Sequence, residues 1–380
     1  MKNKLIIIIT VLGLTLLLIT LALFKITLTG YFVYDGRDEN ENNEYVIGFI
    51  GPLTSYGAAW GLEQQNTIEM TLDEINNNEG VNDKKLRVIY EDGRCNGKEA
   101  ASAAQKLINI DKVKILIPVC SAETLVVAPI AEKNKILTLS VWSTNPAISN
   151  AGDYVFRQSY SDEDIFKLMA ETLNKYDNMG IITEQNDYAI GILNGFRKYY
   201  KGKIIEEEFA ENSKDFRTQI TKILSENPQA ILINPNSPAT GLEILQQIKE
   251  LGYKGDLFAN YFGGTSEVIN SKYAQGMIYF ADPTPKGSIK EKLISEYIKR
   301  YNEKPDFEFA VAAQYDAMFI LKQAIEACGS DRDTDCLRDY LYNLESFTGA
   351  LGTYRFDENG DIVGLKPSVK MIKDGEVVEI

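Results

Sequence analysis

Residues 112–146, KVKILIPVCSAETLVVAPIAEKNKILTLSVWSTNP, constrain the fold more than any other stretch of this chain. Two apolar, β-branched runs, 113–119 and 136–141, flank a segment of helical length. Strand, helix and strand in that order predict a βαβ unit, because parallel neighbours need a crossover of a dozen or more residues. Runs so evenly apolar predict strands buried on both faces. Each strand gives way to a small, hydroxyl-rich turn, Cys120-Ser121-Ala122-Glu123-Thr124 after the first and Trp142-Ser143-Thr144-Asn145-Pro146 after the second. These turns fall at the carboxyl ends of adjacent parallel strands, where open α/β sheets bind their ligands. Ser121 and Thr124 also suit the cap of the next helix, whose free N–H groups and positive dipole end favour an anion such as a carboxylate. Ser121 and Thr144 fit plain turn and cap duty equally well.

The same grammar runs through the rest of the chain. At 380 residues there is room for two domains. Strands 45–50 and 86–90 with helices 56–77 and 97–109 complete one Rossmann-like lobe around the βαβ unit. After Tyr154-Val155-Phe156-Arg157 the alternation restarts, with helices at 162–176, 189–200, 215–226 and 239–251. Strands at 179–183, 203–209, 230–234, 256–259 and 277–280 give the second lobe its own sheet. A Pro/Gly connector follows at 281–287, then three helices, 288–301, 309–327 and 335–342. Lacking strands of their own, these helices are expected to return and cover the first lobe. Segments 352–356 and 368–373, either side of the Gly-containing turn 357–361, read as a terminal hairpin.

The amino terminus follows different rules. Residues 5–24 are uncharged and apolar, with Lys2 and Lys4 before them and Lys25 after. Twenty residues at about 1.5 Å each span a hydrocarbon core of roughly 30 Å, so one N-terminal transmembrane helix is expected. Asp35, Asp38, Glu39 and Glu41 beyond it place the amino terminus inside and the body outside. A cleaved secretory signal is the alternative; the apolar stretch is long for one, and no A-x-A site follows it. The chain as a whole carries 40 basic and 54 acidic side chains. That balance excludes the basic footprint of nucleic-acid binding. With no histidine anywhere, Ser-His-Asp and Cys-His catalysis and most zinc chemistry are excluded as well. No cofactor and no metal is expected. Four cysteines suit an oxidising compartment. Cys95 and Cys120 can meet if the strands before them are neighbours, and Cys328 and Cys336 form the natural second pair, with buried free thiols as the alternative.

Several segments then resemble, in order and spacing, the type I periplasmic solute-binding proteins of ABC transporters, the branched-chain amino-acid binders in particular. The likeness covers 45–380: IGFIGPLTSYGAAWG at 47–61, the Cys95 and Cys120 pair, CSAET at 120–124, STNP at 143–146, DFRTQITKILSENPQAILIN at 215–234, and FDENGD at 356–361. The resemblance implies two lobes joined by three crossovers, near 157–161, 281–285 and 347–349. Lobe 1 would comprise 45–158 plus 284–347, and lobe 2 159–283 plus 348–380; residues 1–30 would be anchor or signal and 31–44 a polar linker. It implies Ser121 and Thr144 on the ligand's carboxylate, Ser143 on its amino group, and Tyr188 at the second lobe's cleft edge. Tyr56 and Trp60 would line the side-chain pocket, where ordinary aromatic packing is the alternative; Asn236 and Tyr261 complete the expected set. The partners implied are a small solute and an ABC permease with its ATPase.

One departure stands out. Amino-acid binders of the family use a glutamate after the strand at 256–259, and this chain has Asn260-Tyr261-Phe262-Gly263-Gly264 there. An unpaired ammonium in a dry cleft is costly, so either Glu123 or Glu184 supplies the charge or the solute is not an α-amino acid. A sensor ectodomain signalling through a partner is a competing reading. An enzyme is a remoter one, since no GxGxxG, GxxxxGK[ST] or GxSxG motif follows any strand.

Overall fold

The first sheet holds β1 (Glu44–Gly51), β2 (Lys85–Asp92), β3 (Ile115–Pro118), β4 (Leu137–Val141) and β5 (Val155–Gln158), in the order β2-β1-β3-β4-β5. Pairs β1–β3, β3–β4 and β4–β5 are parallel, and β3 and β4 are buried at every residue, as their unbroken apolar runs require. The helices between the first four strands are α1 (Ala58–Asn77), α2 (Gly97–Asn109) and α3 (Ser121–Asn134). Leu107, Val127 and Ala131 from α2 and α3 pack with Ile50 and Leu116 on one face of the sheet. These details come from a computed structural model that describes residues 43–380; the expected span at 5–24 lies outside them. Among the described residues no helix is long and apolar enough to cross a membrane.

The second lobe repeats the pattern with α4 (Asp162–Leu173), α5 (Asp187–Tyr199), α6 (Arg217–Ser225), α7 (Pro238–Glu250) and the short α8 (Ser266–Ile269). Its strands are β6 (Asn178–Glu184), β7 (Lys203–Phe209), β8 (Ala230–Asn234), β9 (Asp256–Ala259) and β10 (Ile278–Ala281), parallel through β7-β6-β8-β9-β10. The three helices beyond the connector are α9 (Ser288–Tyr301), α10 (Glu308–Cys328) and α11 (Thr334–Tyr342), and they do cover the first lobe. Glu63 on α1 accepts the N–H groups of Asp306 and Phe307, and Lys292 and Arg300 pair with Glu74 and Asp73.

The carboxyl-terminal strands differ from expectation. The segments 352–356 and 368–373 do not pair with each other. Instead β11 (Phe347–Gly349), β12 (Gly352–Phe356) and β13 (Ile362–Val363) form a small antiparallel sheet. It sits on the first lobe, where Asp316 of α10 accepts the N–H groups of Ala350 and Leu351 and the Tyr354 hydroxyl. The chain joins the second sheet only at β14 (Ser368–Lys373), antiparallel to β10, so this passage lies after β13 and not at Phe347–Gly349. β14 then turns into β15 (Glu376–Glu379) through Asp374-Gly375, with both residues at positive φ (54° and 78°). That two-residue Asp-Gly turn is the stronger hairpin signal, and it fixes β15 as the partner of β14.

Both disulfides form, with Cα separations of 5.3 Å for Cys95–Cys120 and 6.0 Å for Cys328–Cys336. The strands preceding Cys95 and Cys120 are not adjacent: β1 lies between them, and the loop after β2 carries Cys95 across it.

The turn 357–361 is held by Arg157, a fully buried cation at the end of β5. Its Nε and Nη2 donate to the two carboxylate oxygens of Asp361 at 2.9 and 2.6 Å, Nη2 also to Ser149 Oγ at 2.8 Å, and Nη1 to the carbonyls of Thr144 and Asn145 at 3.1 and 2.9 Å. All five guanidinium protons are therefore used. Asp361→Ala strands this charge inside the protein and is expected to cost about 3–5 kcal/mol of unfolding free energy in urea. Glu226→Ala, which breaks the exposed Lys203–Glu226 pair, should leave the midpoint nearly unchanged.

Candidate functional site

Both hydroxyl-rich turns open onto one cavity of about 290 Å³ between the lobes. That lies near the lower end of small-molecule sites, about 300–1,000 Å³. The first lobe lines it with Tyr56, Trp60, the head of α3, Trp142 and Thr144; the second contributes Asn186, Tyr188, Asn236 and Tyr261; Tyr160 and Asp282 come from the connections between lobes. Of the eight expected ligand contacts, seven meet here and Ser143 does not.

The head of α3 is built by Glu123. Its carboxyl is fully buried and accepts the N–H groups of Cys95, Cys120 and Val119, clamping the disulfide loop and the end of β3 to the helix. Burial outweighs those hydrogen bonds and raises its pKa to about 8. The N–H groups of Ser121 and Ala122, first in the helix, have no acceptor within it, and both residues line the cavity. Ser121 Oγ accepts the Asn145 N–H at 3.3 Å, which leaves its proton available to a solute.

The second turn is spent differently from expectation. Ser143 is buried, and its hydroxyl donates to the Val119 carbonyl at 2.6 Å and meets Thr124 Oγ1 at 2.7 Å, so it ties two strand ends together instead of facing a ligand. Thr144 lines the cavity, yet its hydroxyl donates to Asp162 Oδ2 at 2.9 Å. Asp162 is sealed at the start of α4; burial raises its pKa to about 7 against the pull of the Thr144 hydroxyl and Arg157.

The remaining walls are aromatic. Tyr56, Trp60, Trp142, Tyr261 and Tyr188 form a continuous chain of edge contacts with ring centroids 5.7–6.2 Å apart. Trp142 holds a left-handed backbone (φ 60°), unusual for a bulky residue and found at ligand clamps. Burial pushes the phenols of Tyr160, Tyr188 and Tyr261 well above 10, so they remain neutral donors. The lobes touch across the cleft where Asn236 Nδ2 donates to the Tyr56 hydroxyl at 2.6 Å, and within the second lobe the Tyr261 hydroxyl donates to the Asn236 carbonyl.

Neither carboxylate expected to replace the missing glutamate lines this cavity. Glu123 is committed to the helix head, and Glu184 accepts the Asn236 N–H at 2.7 Å. The acids that do line it are Asp187, Glu211 and Asp282, and no lysine or arginine is among the lining residues. Sequence reasoning also missed Trp142, Tyr160 and Asn186. The Asn186 side-chain oxygen caps α5 by accepting the Ala189 N–H at 2.9 Å, and its Nδ2 is buried without a partner. A buried donor without a partner is costly.

The periplasmic binding protein family profile matches residues 44–365. The chain belongs to that family. A leucine-, isoleucine-, valine-, threonine- and alanine-binding protein of Pseudomonas aeruginosa is 28% identical over 331 residues, 83% of this chain and 86% of that protein. The crystal structure of a leucine binding protein, LivK, of Thermotoga maritima is 27% identical with a TM-score of 0.79, covering 88% of this chain and 97% of that one. A solute binding protein of an ABC transporter of R. palustris, solved with benzoate, shares the fold at 16% identity and a TM-score of 0.78, covering 89% and 96%. The two-lobed α/β type I fold is thus established for this chain, and the family places it outside the cytoplasm.

Thr144 and Ser121 should separate in stability. Thr144→Ala leaves buried Asp162 without its donor and is expected to lower the stability of the solute-free protein by about 1–3 kcal/mol. Ser121→Ala, whose hydroxyl accepts only a long bond, should shift the melting temperature far less in the same thermal melt.

Proposed function

We propose that this protein captures a small carboxylate-bearing solute, a branched-chain amino acid foremost, between its lobes and delivers it unchanged to an ABC permease with its ATPase. The observation that carries this reading is the head of α3. Ser121 and Ala122, whose N–H groups have no partner among the described residues, bring the Ser121 hydroxyl and the positive helix end to a cavity lined by no basic side chain among the described residues. A carboxylate suits such a site, being stabilised by charge-assisted hydrogen bonds without a counter-cation. The aromatic chain suits an apolar side chain, and Asn186 and Tyr188 bring polar groups of the second lobe to the same cavity. A solute that bridges donors on both lobes favours their closure because it binds the closed form better.

Residues 5–24 are proposed as an uncleaved anchor holding the body against the outer face of the membrane. After lysis the protein should sediment with membranes and enter the soluble fraction only with detergent; a soluble mature chain starting near residue 30 would overturn the anchor. Titration calorimetry with L-leucine, L-isoleucine and L-valine tests the binding reading. At least one should bind, and Ser121→Ala should weaken that binding by roughly ten- to a hundredfold, the cost of one charge-assisted hydrogen bond. Failure of all three, together with 4-methylpentanoate and benzoate, would overturn it.

A further inference from the structure

Building on the solute-binding reading, we infer that Asp282 is the partner of a cationic nitrogen on the solute, so that the cleft selects an amino acid over the corresponding simple acid. Asp282 directly follows β10, in the connector that leaves the second lobe, and it lines the cavity. Its two oxygens are oriented from opposite sides: Oδ1 accepts the Tyr160 hydroxyl at 2.6 Å and Oδ2 accepts the Trp142 indole N–H at 3.2 Å. Each carboxylate oxygen can accept a second bond, so one lone pair on each remains. Among the described residues it makes no ion pair; Lys370 of β14 exerts an attractive pull on it, and burial dominates, raising its pKa. A carboxylate held this way is an incomplete charge.

The surroundings complete a cation site. Trp142 and Tyr261, 5.7 Å apart, turn aromatic surface into the same cavity, and ring faces attract a desolvated ammonium. The anion-binding head of α3 and Asp282 line one cavity, which fits the two charged ends of a zwitterion. The glutamate absent from 260–264 is thus replaced by an acid from a different element, next to the connection where the lobes pivot. Such a contact lets the solute's nitrogen bear on closure directly.

The alternative is that Asp282 only orients Trp142 and Tyr160, and calorimetry on the full-length protein separates the two. The probes are L-leucine and 4-methylpentanoate, which is leucine without its amino group. The wild type should bind leucine at least about thirtyfold more tightly than 4-methylpentanoate, and Asp282→Asn should weaken leucine by a similar factor while leaving 4-methylpentanoate within about threefold. Equal wild-type affinities for the two probes would overturn the inference without any variant. An Asp282→Asn protein that lost both probes in parallel would assign Asp282 to orientation alone and overturn it too. If the wild type binds neither these probes nor the other branched-chain amino acids and benzoate, the solute-binding reading itself fails.

Discussion

The fold and the cleft both depend on one buried cation. Arg157 has given all five of its protons to protein acceptors, and those acceptors come from three places that otherwise have no reason to meet. The Thr144 and Asn145 carbonyls belong to the turn at the cleft, Ser149 to the 3₁₀ segment Pro146–Asn150 behind it, and Asp361 to the turn between β12 and β13. The planar fork of a guanidinium suits this duty and an ammonium would not, because the directions are fixed as well as the charge. Gly360, at φ 74°, lets that turn approach β5 closely: a Cβ there would sit 2.5 Å from the Val155 carbonyl oxygen. The shape of the ligand turn is therefore set partly by residues two hundred positions away.

From that anchor the polarity of the cleft follows. Thr144 cannot give its hydroxyl freely to a solute while it also keeps Asp162 solvated inside the protein. The proposed anion site is instead the head of α3, whose geometry Glu123 imposes through three backbone N–H groups and to which the Cys95–Cys120 bridge is joined. In the proposed binding mode, negative charge on the solute would meet dipoles and neutral donors and positive charge a carboxylate, in keeping with a lining that holds acids but no lysine or arginine among the described residues.

Much of this was legible in the chain. The unbroken apolar runs of β3 and β4 announced a doubly covered parallel sheet, and the strandless block 288–342 had to cover an existing lobe. Cys95 and Cys120 were paired correctly even though the argument assumed adjacent strands, because a loop can span the strand that separates them. The terminal hairpin was misplaced because the Gly-containing turn 357–361 was read as its connection, whereas the two-residue Asp374-Gly375 turn is the more specific signal. Ser143 was expected at the ligand only through the resemblance, and a resemblance in sequence does not say which of two adjacent hydroxyls the packing uses internally. Asp282 and Asn186 had no local motif: one sits among prolines and the other looks like a plain helix cap. Only tertiary structure brings them into the cavity lining, Asp282 between Trp142 and Tyr160 and Asn186 with an unpartnered Nδ2.

The chain has two tryptophans, and both line the cleft, with ring centroids 6.2 Å apart. Every photon of indole fluorescence the protein emits thus originates at the cavity between the lobes. One of the two emitters, Trp142, is hydrogen-bonded through its N–H to Asp282 and meets the ring of Tyr261 from the opposite lobe. Filling, emptying or opening the cleft changes the polarity and quenching around the whole of that emission, with no background from distant indoles. Occupancy of this protein is written into its intrinsic emission spectrum, without a label.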